Sequence, residues 1–160
     1  MVNIRPATRD DAALIVELIR GLAEYERAPD AVVATEADIV RDGFSENPRF
    51  YCVIAESNGV PAGFAFYFFH YSTWLGKAGL YLEDLFVKPE LRGKGIGKAL
   101  LVHLAQIAVR ESCYGMRWQV LDWNQPAIDF YERLGAKVMR EWLEVRIKGE
   151  SLRALAAMRV

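Results

Sequence analysis

A glycine-rich segment with three basic side chains joins a predicted strand to a predicted helix. It has the sequence Arg92-Gly93-Lys94-Gly95-Ile96-Gly97-Lys98. Glycines let the backbone approach a ligand closely, and the first amides of a helix are unpaired donors at the positive end of its dipole. The segment therefore predicts a binding site for phosphate groups. A glycine-rich turn with solvated lysines is the alternative.

Two common nucleotide-binding loops do not fit this segment. Lys98 is followed by Ala99 rather than by Ser or Thr, so a P-loop would lack its magnesium ligand. The glycine spacing also differs from G-x-G-x-x-G, and hairpins precede the loop where a dinucleotide-binding fold has a simple β-α-β unit. The kind of phosphate stays open on these grounds.

Two adjacent carboxylates lie on the predicted strand before the loop. Regular alternation places Tyr81, Glu83 and Leu85 on one face of that strand and Leu82 and Asp84 on the other. Glu83 can then face a pocket, attract a cationic amine and relay its proton through water. A solvated salt bridge is the alternative for Glu83, and Asp84 is expected to serve the structure.

Hydrophobic periodicity predicts the elements that position these residues, in the order β-α-α-β-β-β-α-β-α-β with a short terminal helix. The predicted strands are 2–5, 50–56, 60–71, 80–87, 117–121 and 138–147; the predicted helices are 9–26, 35–43, a long helix from Gly95, 125–134 and 150–157. Central hairpins followed by β-α-β crossovers predict an α/β fold, with one mixed central sheet and helices on both faces, in a single domain over 1–160. Ligands bind such sheets beyond the carboxyl ends of strands, which directs attention to residues 87–98.

Composition excludes several classes of protein. The 160 residues include 20 Lys+Arg and 21 Asp+Glu, so no general field attracts the chain to nucleic acid or to an anionic membrane. No apolar run approaches the roughly 18 residues of a membrane span, and the first residues lack the apolar core of a signal peptide, so we expect a cytoplasmic protein. The two cysteines and the isolated His70 and His103 offer no spacing for a metal, and none is expected.

The glycine loop resembles that of a known family. Arg92-x-x-Gly95-x-Gly97, after a strand that ends Leu85-Phe86-Val87, is similar to the acetyl-CoA loop of the GNAT N-acetyltransferases, and the order of elements agrees with that fold over nearly the whole chain. The resemblance is closer still to the diamine acetyltransferase subfamily, the spermidine/spermine and thialysine enzymes. It is carried by the blocks Ile4-Arg5-Pro6-Ala7, Asp42-Gly43-Phe44, Tyr81-Leu82-Glu83-Asp84, Arg92-Gly93-x-Gly95-Ile96-Gly97 and Trp123-Asn124-Gln125.

The resemblance implies transfer of an acetyl group from acetyl-CoA to a primary amine of a small molecule, without a metal. It implies that the coenzyme contacts the backbone of Leu85, Phe86 and Val87, the loop from Arg92 to Lys98, and Asn124, Pro126 and Tyr131. It further implies a strand bulge near residues 85–87 that offers an amide to the carbonyl oxygen. Family members are commonly homodimers, and the apolar Trp142, Leu143 and Val145 on the predicted last strand suit either an interface or the core.

Two proton transfers accompany such a reaction. A lysine-like amine, with an ordinary pKa of about 10.4, must lose a proton, and the departing thiolate must gain one. The resemblance implies that Glu83 serves the first transfer and Tyr131 the second. An ordinary core tyrosine is the alternative for Tyr131, although Phe130 suits the core better, and helix capping alone would explain Asn124.

The acceptor side is less determined than the donor side. Tyr25 and Glu26 match family positions that contact substrate, and Tyr71 and Trp74 can wall an alkyl-ammonium pocket through apolar and cation–π contacts. Polyamine enzymes have an aspartate where this chain has Ser72, which favours a lysine- or thialysine-like ε-amine. A polyamine acceptor is the alternative. A non-catalytic acyl-CoA-binding module is a further one, but it predicts the loss of Tyr131 or Glu83, and both are present.

Overall fold

Within the described residues, five strands form one sheet in chain order. They are β1 (Val2–Pro6), β2 (Tyr51–Ser57), β3 (Val60–Ser72), β4 (Lys77–Val87) and β5 (Met116–Arg117). Pairing is antiparallel from β1 to β4 and parallel between β4 and β5. The predicted mixed sheet is therefore confirmed. The computed structural model describes residues 1–159.

The chain divides into two compact units, Met1–Gln119 and Val120–Val160. The first contains the sheet with α1 (Ala12–Tyr25), α2 (Glu36–Gly43) and α3 (Ile96–Arg110). The second contains α4 (Gln125–Arg133) and α5 (Gly149–Ala156). The single domain over 1–160 stays a prediction.

The predicted starts of the first two helices agree with their capping. A short 3-10 turn over Arg9–Asp11 precedes α1, and the Thr8 amide donates to the Asp11 carboxylate at 2.7 Å. At α2, the Asp38 amide donates to Thr35 Oγ1 at 3.3 Å, and the Thr35 amide donates back to Asp38 Oδ2 at 2.9 Å. These reciprocal bonds satisfy amides that a helix leaves unpaired at its start.

Helices cover both faces of the sheet in the first unit. On one face α1 and α2 enclose a cluster that includes the fully buried Ile15, Ile54 and Phe64. Because neighbouring strand residues point to opposite faces, the buried Val53 faces the other side. There α3 lies against the sheet and buries its own apolar stripe, which includes Leu100. No described helix is long and apolar enough to cross a membrane.

Two predicted strands are wrong in whole or in part. The strand predicted over 117–121 is only Met116–Arg117, which pairs with Leu80 and Tyr81 of β4. The segment 138–147 has alternating apolar residues but forms no strand, since no described strand pairs with its backbone. Its side chains Trp142, Leu143 and Val145 are 72%, 86% and 94% exposed. The terminal helix α5 is confirmed.

Candidate active site

The coenzyme loop predicted from the sequence connects β4 to α3. Gly93 and Gly95 adopt left-handed backbone angles, with φ of 75° and 79°, and no described residue beyond the adjoining backbone comes within 4 Å of where a Cβ would sit at either one. Gly95 is also the N-cap of α3, so no side chain caps the first amides of that helix. With the exposed Lys94 and Lys98 beside these amides, the loop is a favourable place for an anion.

Arg92 turns back from the loop toward the end of β4. Its Nε donates to the carbonyl oxygen of Val87 at 3.0 Å. Its guanidinium carbon lies 4.5 Å from the ring centroid of Tyr25 and 5.6 Å from that of Phe86. Arg92 therefore joins the coenzyme loop to Tyr25, which was predicted as a residue of the acceptor side.

A β-bulge lies at Glu83. Asp84 pairs with Phe66 and Leu82 pairs with Tyr67, so Glu83 is an extra residue of β4 with no partner on β3. Its side chain is exposed. The strand implied to contain a bulge does contain one, but at Glu83 rather than at residues 85–87, which pair regularly with Ala65, Phe64 and Gly63.

The bulge overturns the predicted faces of β4. Phe66 and Tyr67 are adjacent on β3 and point to opposite sides of the sheet. Their partners Asp84 and Leu82 therefore point to opposite sides too, although strict alternation predicted one side for both. Phe66 packs against the cluster under α1 and α2, which places Asp84 on that face. The physical reason is the extra residue, because a bulge shifts the alternation by one position.

Asp84, which the sequence predicted to serve the structure, lies in surroundings that also suit it to proton transfer. Burial, with the charges of Glu83 and Glu26 added, raises the pKa of its carboxyl to about 7. In the part of the chain that the structure describes, no lysine or arginine forms an ion pair with it. An acid with a pKa near neutrality is suited to accept and release a proton at physiological pH. The adjacent Glu-Asp pair was visible in the sequence, but nothing there indicated the bulge.

Tyr25 and Glu26 lie at a tightly closed helix end. The Ala28 amide donates to Ala23 O at 2.9 Å and the Arg27 amide donates to Glu24 O at 3.1 Å. Arg27 has a φ of 63°, so a non-glycine residue takes the left-handed position that usually belongs to glycine. Burial raises the pKa of Glu26. This geometry fixes Tyr25 and Glu26 at the end of α1.

The turn between β3 and β4 carries the other predicted acceptor residues. Tyr71 is 64% exposed and Trp74 is 93% exposed. Ser72 Oγ accepts a hydrogen bond from the Leu75 amide at 3.3 Å, and Ser72 O accepts one from Gly76 at 2.8 Å. Ser72 therefore holds the turn, while the two aromatic side chains project from it.

The second unit holds Asn124, Pro126 and Tyr131. Asn124 is 7% exposed, and its Oδ1 accepts a hydrogen bond from the Ala127 amide at 3.4 Å, which confirms it as the N-cap of α4. Pro126 occupies the first turn, where its missing amide is tolerated. The rings of Phe130 and Tyr131 are 5.4 Å apart, and both are half-buried. Ile128, rather than Phe130, is the residue that α4 buries.

The two histidines lie away from any metal-like grouping. His70 Nε2 is 3.4 Å from the hydroxyl of Tyr114, and burial lowers the pKa of both His70 and His103. Among the described residues, no group of three or more His, Cys, Asp or Glu side chains is placed to hold a metal ion.

The first unit therefore combines a glycine loop at the end of a sheet strand, an uncapped helix start and two carboxyls on a bulged strand. An integron cassette protein from the mobile metagenome of V. cholerae has the same fold, with a TM-score of 0.81, 30% identity and 98% coverage of both chains. The family model described as the acetyltransferase (GNAT) family matches residues 15–136.

Two relatives are similar over most of this chain. Thialysine N-epsilon-acetyltransferase of Sus scrofa is 43% identical over 166 residues, which is 97% of each protein. Spermidine/spermine N(1)-acetyltransferase-like protein 1 of Homo sapiens is 44% identical over 141 residues, which is 84% of this chain and 20% of the human protein. The chain belongs to the GNAT family. It is an acetyl-CoA-dependent N-acetyltransferase that acts on an amine.

Proposed function

We propose that this enzyme acetylates the ε-amine of a lysine- or thialysine-like amino acid. The choice of an amino acid over a polyamine depends on Ser72, whose Oγ accepts a hydrogen bond within the β3–β4 turn. The polyamine enzymes that the sequence resembles have an aspartate at this position. An amino acid brings its own carboxylate, so it gains less from an additional acid than a polycation does. The name of the Sus scrofa relative agrees with this choice.

A polyamine is the second candidate acceptor, and one observation favours it. Glu26 and Glu83 act electrostatically on Asp84, so three carboxyls lie close enough to interact within the first unit. Such a group attracts a multiply charged cation more strongly than a singly charged one. The human relative named for spermidine and spermine agrees with this alternative.

A panel of acceptors tests the proposal. Thialysine, lysine, spermidine and putrescine are each incubated with acetyl-CoA, and release of free thiol is followed. The proposal predicts turnover with thialysine or lysine. Turnover with spermidine alone would replace it by the polyamine alternative, and no turnover with any of the four would refute both.

Donor binding is proposed to use the loop and the free edge of β4. The phosphates of acetyl-CoA would lie on the amides of residues 93–98, with the ammonium groups of Lys94 and Lys98 and the guanidinium of Arg92 nearby. Among the described strands, none pairs with β4 beyond Tyr81 on the side of β5. The backbone of Leu85, Phe86 and Val87 can therefore pair with the amides of the pantetheine arm.

Amine activation is proposed to use both carboxyls of the bulge. Glu83 is exposed and attracts the ammonium form of the acceptor. Asp84 then takes the proton, because its raised pKa, about 7, makes it a base that is half ionised near neutral pH. The neutral amine attacks the thioester carbonyl. The tetrahedral intermediate loses an N–H proton to water and collapses, so that the C–S bond breaks and the coenzyme thiolate leaves.

Tyr131 is proposed to protonate that thiolate. With ordinary pKa values of about 10 for a phenol and about 8.5 for a thiol, this transfer is uphill by about 2 kcal/mol. Conversion of a thioester to an amide is favourable enough to support such a step. Asn124 and Pro126 support Tyr131 by fixing the start of α4, and both are proposed to contact the coenzyme.

A homodimer in the cytoplasm is proposed as the working form of the enzyme. The exposed Trp142, Leu143 and Val145 support it, because three large apolar side chains in one short segment are typical of a surface that a partner covers. Sedimentation analysis tests the dimer, which a monomeric mass at all concentrations would contradict.

A further inference from the structure

Arg92 contacts residues on both sides of the proposed reaction. Arg92 Nε donates a hydrogen bond to Val87 O at 3.0 Å, and the guanidinium carbon lies 4.5 Å from the centre of the Tyr25 ring. In the part of the chain that the structure describes, no side chain forms an ion pair with Arg92. A guanidinium has five N–H donors, so the single bond to Val87 leaves donors for an anion while the stack on Tyr25 persists.

The stack rests on a rigid base. The Phe86 ring lies 5.6 Å from the guanidinium carbon on the same strand end. Phe86 also lies so close to α1 that a Cβ at Gly21 would be 2.8 Å from its Cζ. Phe86 is 6% exposed and belongs to the buried cluster. The strand end, Arg92 and the last turn of α1 therefore form one packed layer.

We propose that Arg92 is a positioning residue that couples the coenzyme loop to Tyr25 and Glu26. An anion that fixes the guanidinium also fixes the Tyr25 ring and, through the closed end of α1, the neighbouring Glu26. Binding of the coenzyme then orders the acceptor residues, and by reciprocity an acceptor held there strengthens coenzyme binding. This inference rests on the proposed acceptor role of Tyr25 and Glu26, and it adds a role for Arg92 beyond contact with phosphate.

The strength of the contact between Arg92 and Tyr25 sets the expected size of the coupling. A cation–π pair at a partly exposed site corresponds to a factor of roughly two to five in an equilibrium constant. Since Tyr25 is 37% exposed, the pair belongs to that weaker class. We therefore expect saturating coenzyme to slow local opening at the end of α1 by that factor.

Hydrogen exchange with CoA alone provides the test, because it needs no acceptor. The amides of Glu26, Arg27 and Ala28 are bonded at the end of α1 and report its opening. In the wild type, saturating CoA should slow their exchange roughly two- to five-fold. In Arg92→Met the slowing should vanish at saturating CoA, and Tyr25→Leu should abolish it equally, whereas Tyr25→Phe should retain it.

Lys94→Met is the matched control, since it removes one cation from the same loop and leaves both Arg92 and Tyr25 unchanged. It should weaken CoA binding yet keep the slowing once CoA is saturating. The inference is overturned if the wild type shows no slowing, or if Arg92→Met retains it as Lys94→Met does. A failure of the acceptor panel would refute the proposed function and would leave this result standing.

Discussion

Asp84 pairs with Phe66 across the sheet, while Leu82, two residues earlier, pairs with the adjacent Tyr67. The extra residue between them is Glu83, so one bulge turns Asp84 to the face that α1 covers and leaves Glu83 exposed. Because α1 ends at Tyr25 and Glu26 on that face, the bulge decides which carboxyl interacts with Glu26.

The stability of the protein should depend on pH through Asp84. Folding raises its pKa from 3.8 to about 7, so between these values the folded chain holds a proton that the unfolded chain releases. The contribution of Asp84 to the free energy of unfolding is therefore greatest below about pH 4 and is lost as the pH rises toward 7. Between pH 4.5 and 7.5 the loss should be on the order of 3 kcal/mol, and Asp84→Asn should remove it.

Denaturant unfolding at several pH values measures this slope. Asp10→Asn, at an exposed aspartate before α1, is the control for loss of one carboxylate. If Asp84→Asn and the wild type lose stability equally over this range, the raised pKa is refuted.

The rate should follow the ionisation of Asp84 rather than that of Glu83. Two acidic groups raise the pKa of Asp84, namely Glu83 on its own strand and Glu26 at the end of α1. The charge of Asp84 in turn helps to raise the pKa of the buried Cys52 on β2. We expect kcat/KM for the amine to fall below about pH 7 in the wild type. Asp84→Asn should lower kcat about 10²–10⁴-fold and remove that limb of the profile.

Glu83→Gln is the matched variant for this experiment. It should raise the KM for the amine, since Glu83 attracts the cation, and it should move the acidic limb to lower pH without removing it, since the charge of Glu83 helps to raise the pKa of Asp84. A limb that survives in Asp84→Asn but disappears in Glu83→Gln would reverse the two roles.

Tyr131→Phe should lower kcat about 10²-fold with little change in the affinity for coenzyme, because only the proton donor is lost. Steady-state rates and calorimetric binding of CoA separate the two effects. Tyr51→Phe, at a tyrosine that stacks on Tyr67 in the sheet, controls for loss of a hydroxyl. Wild-type turnover in Tyr131→Phe would remove its role as an acid.

Ser112 provides a test of the backbone outside the site. It follows α3 with a φ of 55°, and its neighbour Cys113 donates to Ala108 O at 2.8 Å. Ser112→Gly should stabilise the protein by about 0.5–1 kcal/mol and raise Tm by about 2–3 °C, because glycine takes this conformation without strain. Ser112→Val should lower Tm, and thermal unfolding that shows the opposite order would contradict this reading of the α3 end.

Most of the fold was predictable because its signals are local. Thr35 with Asp38 marks the start of α2, Asn58 and Gly59 mark the hairpin turn, and Gly135, with a φ of 90°, closes α4. The segment 138–147 was not predictable in this way, since alternation shows only that a strand is possible and not that a partner strand exists.

In the site, too, the features with local signals were predictable and those that depend on distant residues were not. The glycine loop is contiguous in sequence, so its place at the start of α3 was predicted correctly. The bulge at Glu83 depends on the register with β3, and the stack of Arg92 on Tyr25 joins residues far apart in the chain. Neither relationship has a sequence signal, which is why Asp84 and the second role of Arg92 emerged only from the structure.

The ratio of kcat/KM for thialysine to kcat/KM for spermidine tests the central claim most directly. Wild-type enzyme should favour thialysine, and Ser72→Asp should shift the ratio toward spermidine by roughly two- to five-fold, the effect of one exposed charge. A wild-type ratio in favour of spermidine, unchanged by Ser72→Asp, would contradict the proposed acceptor.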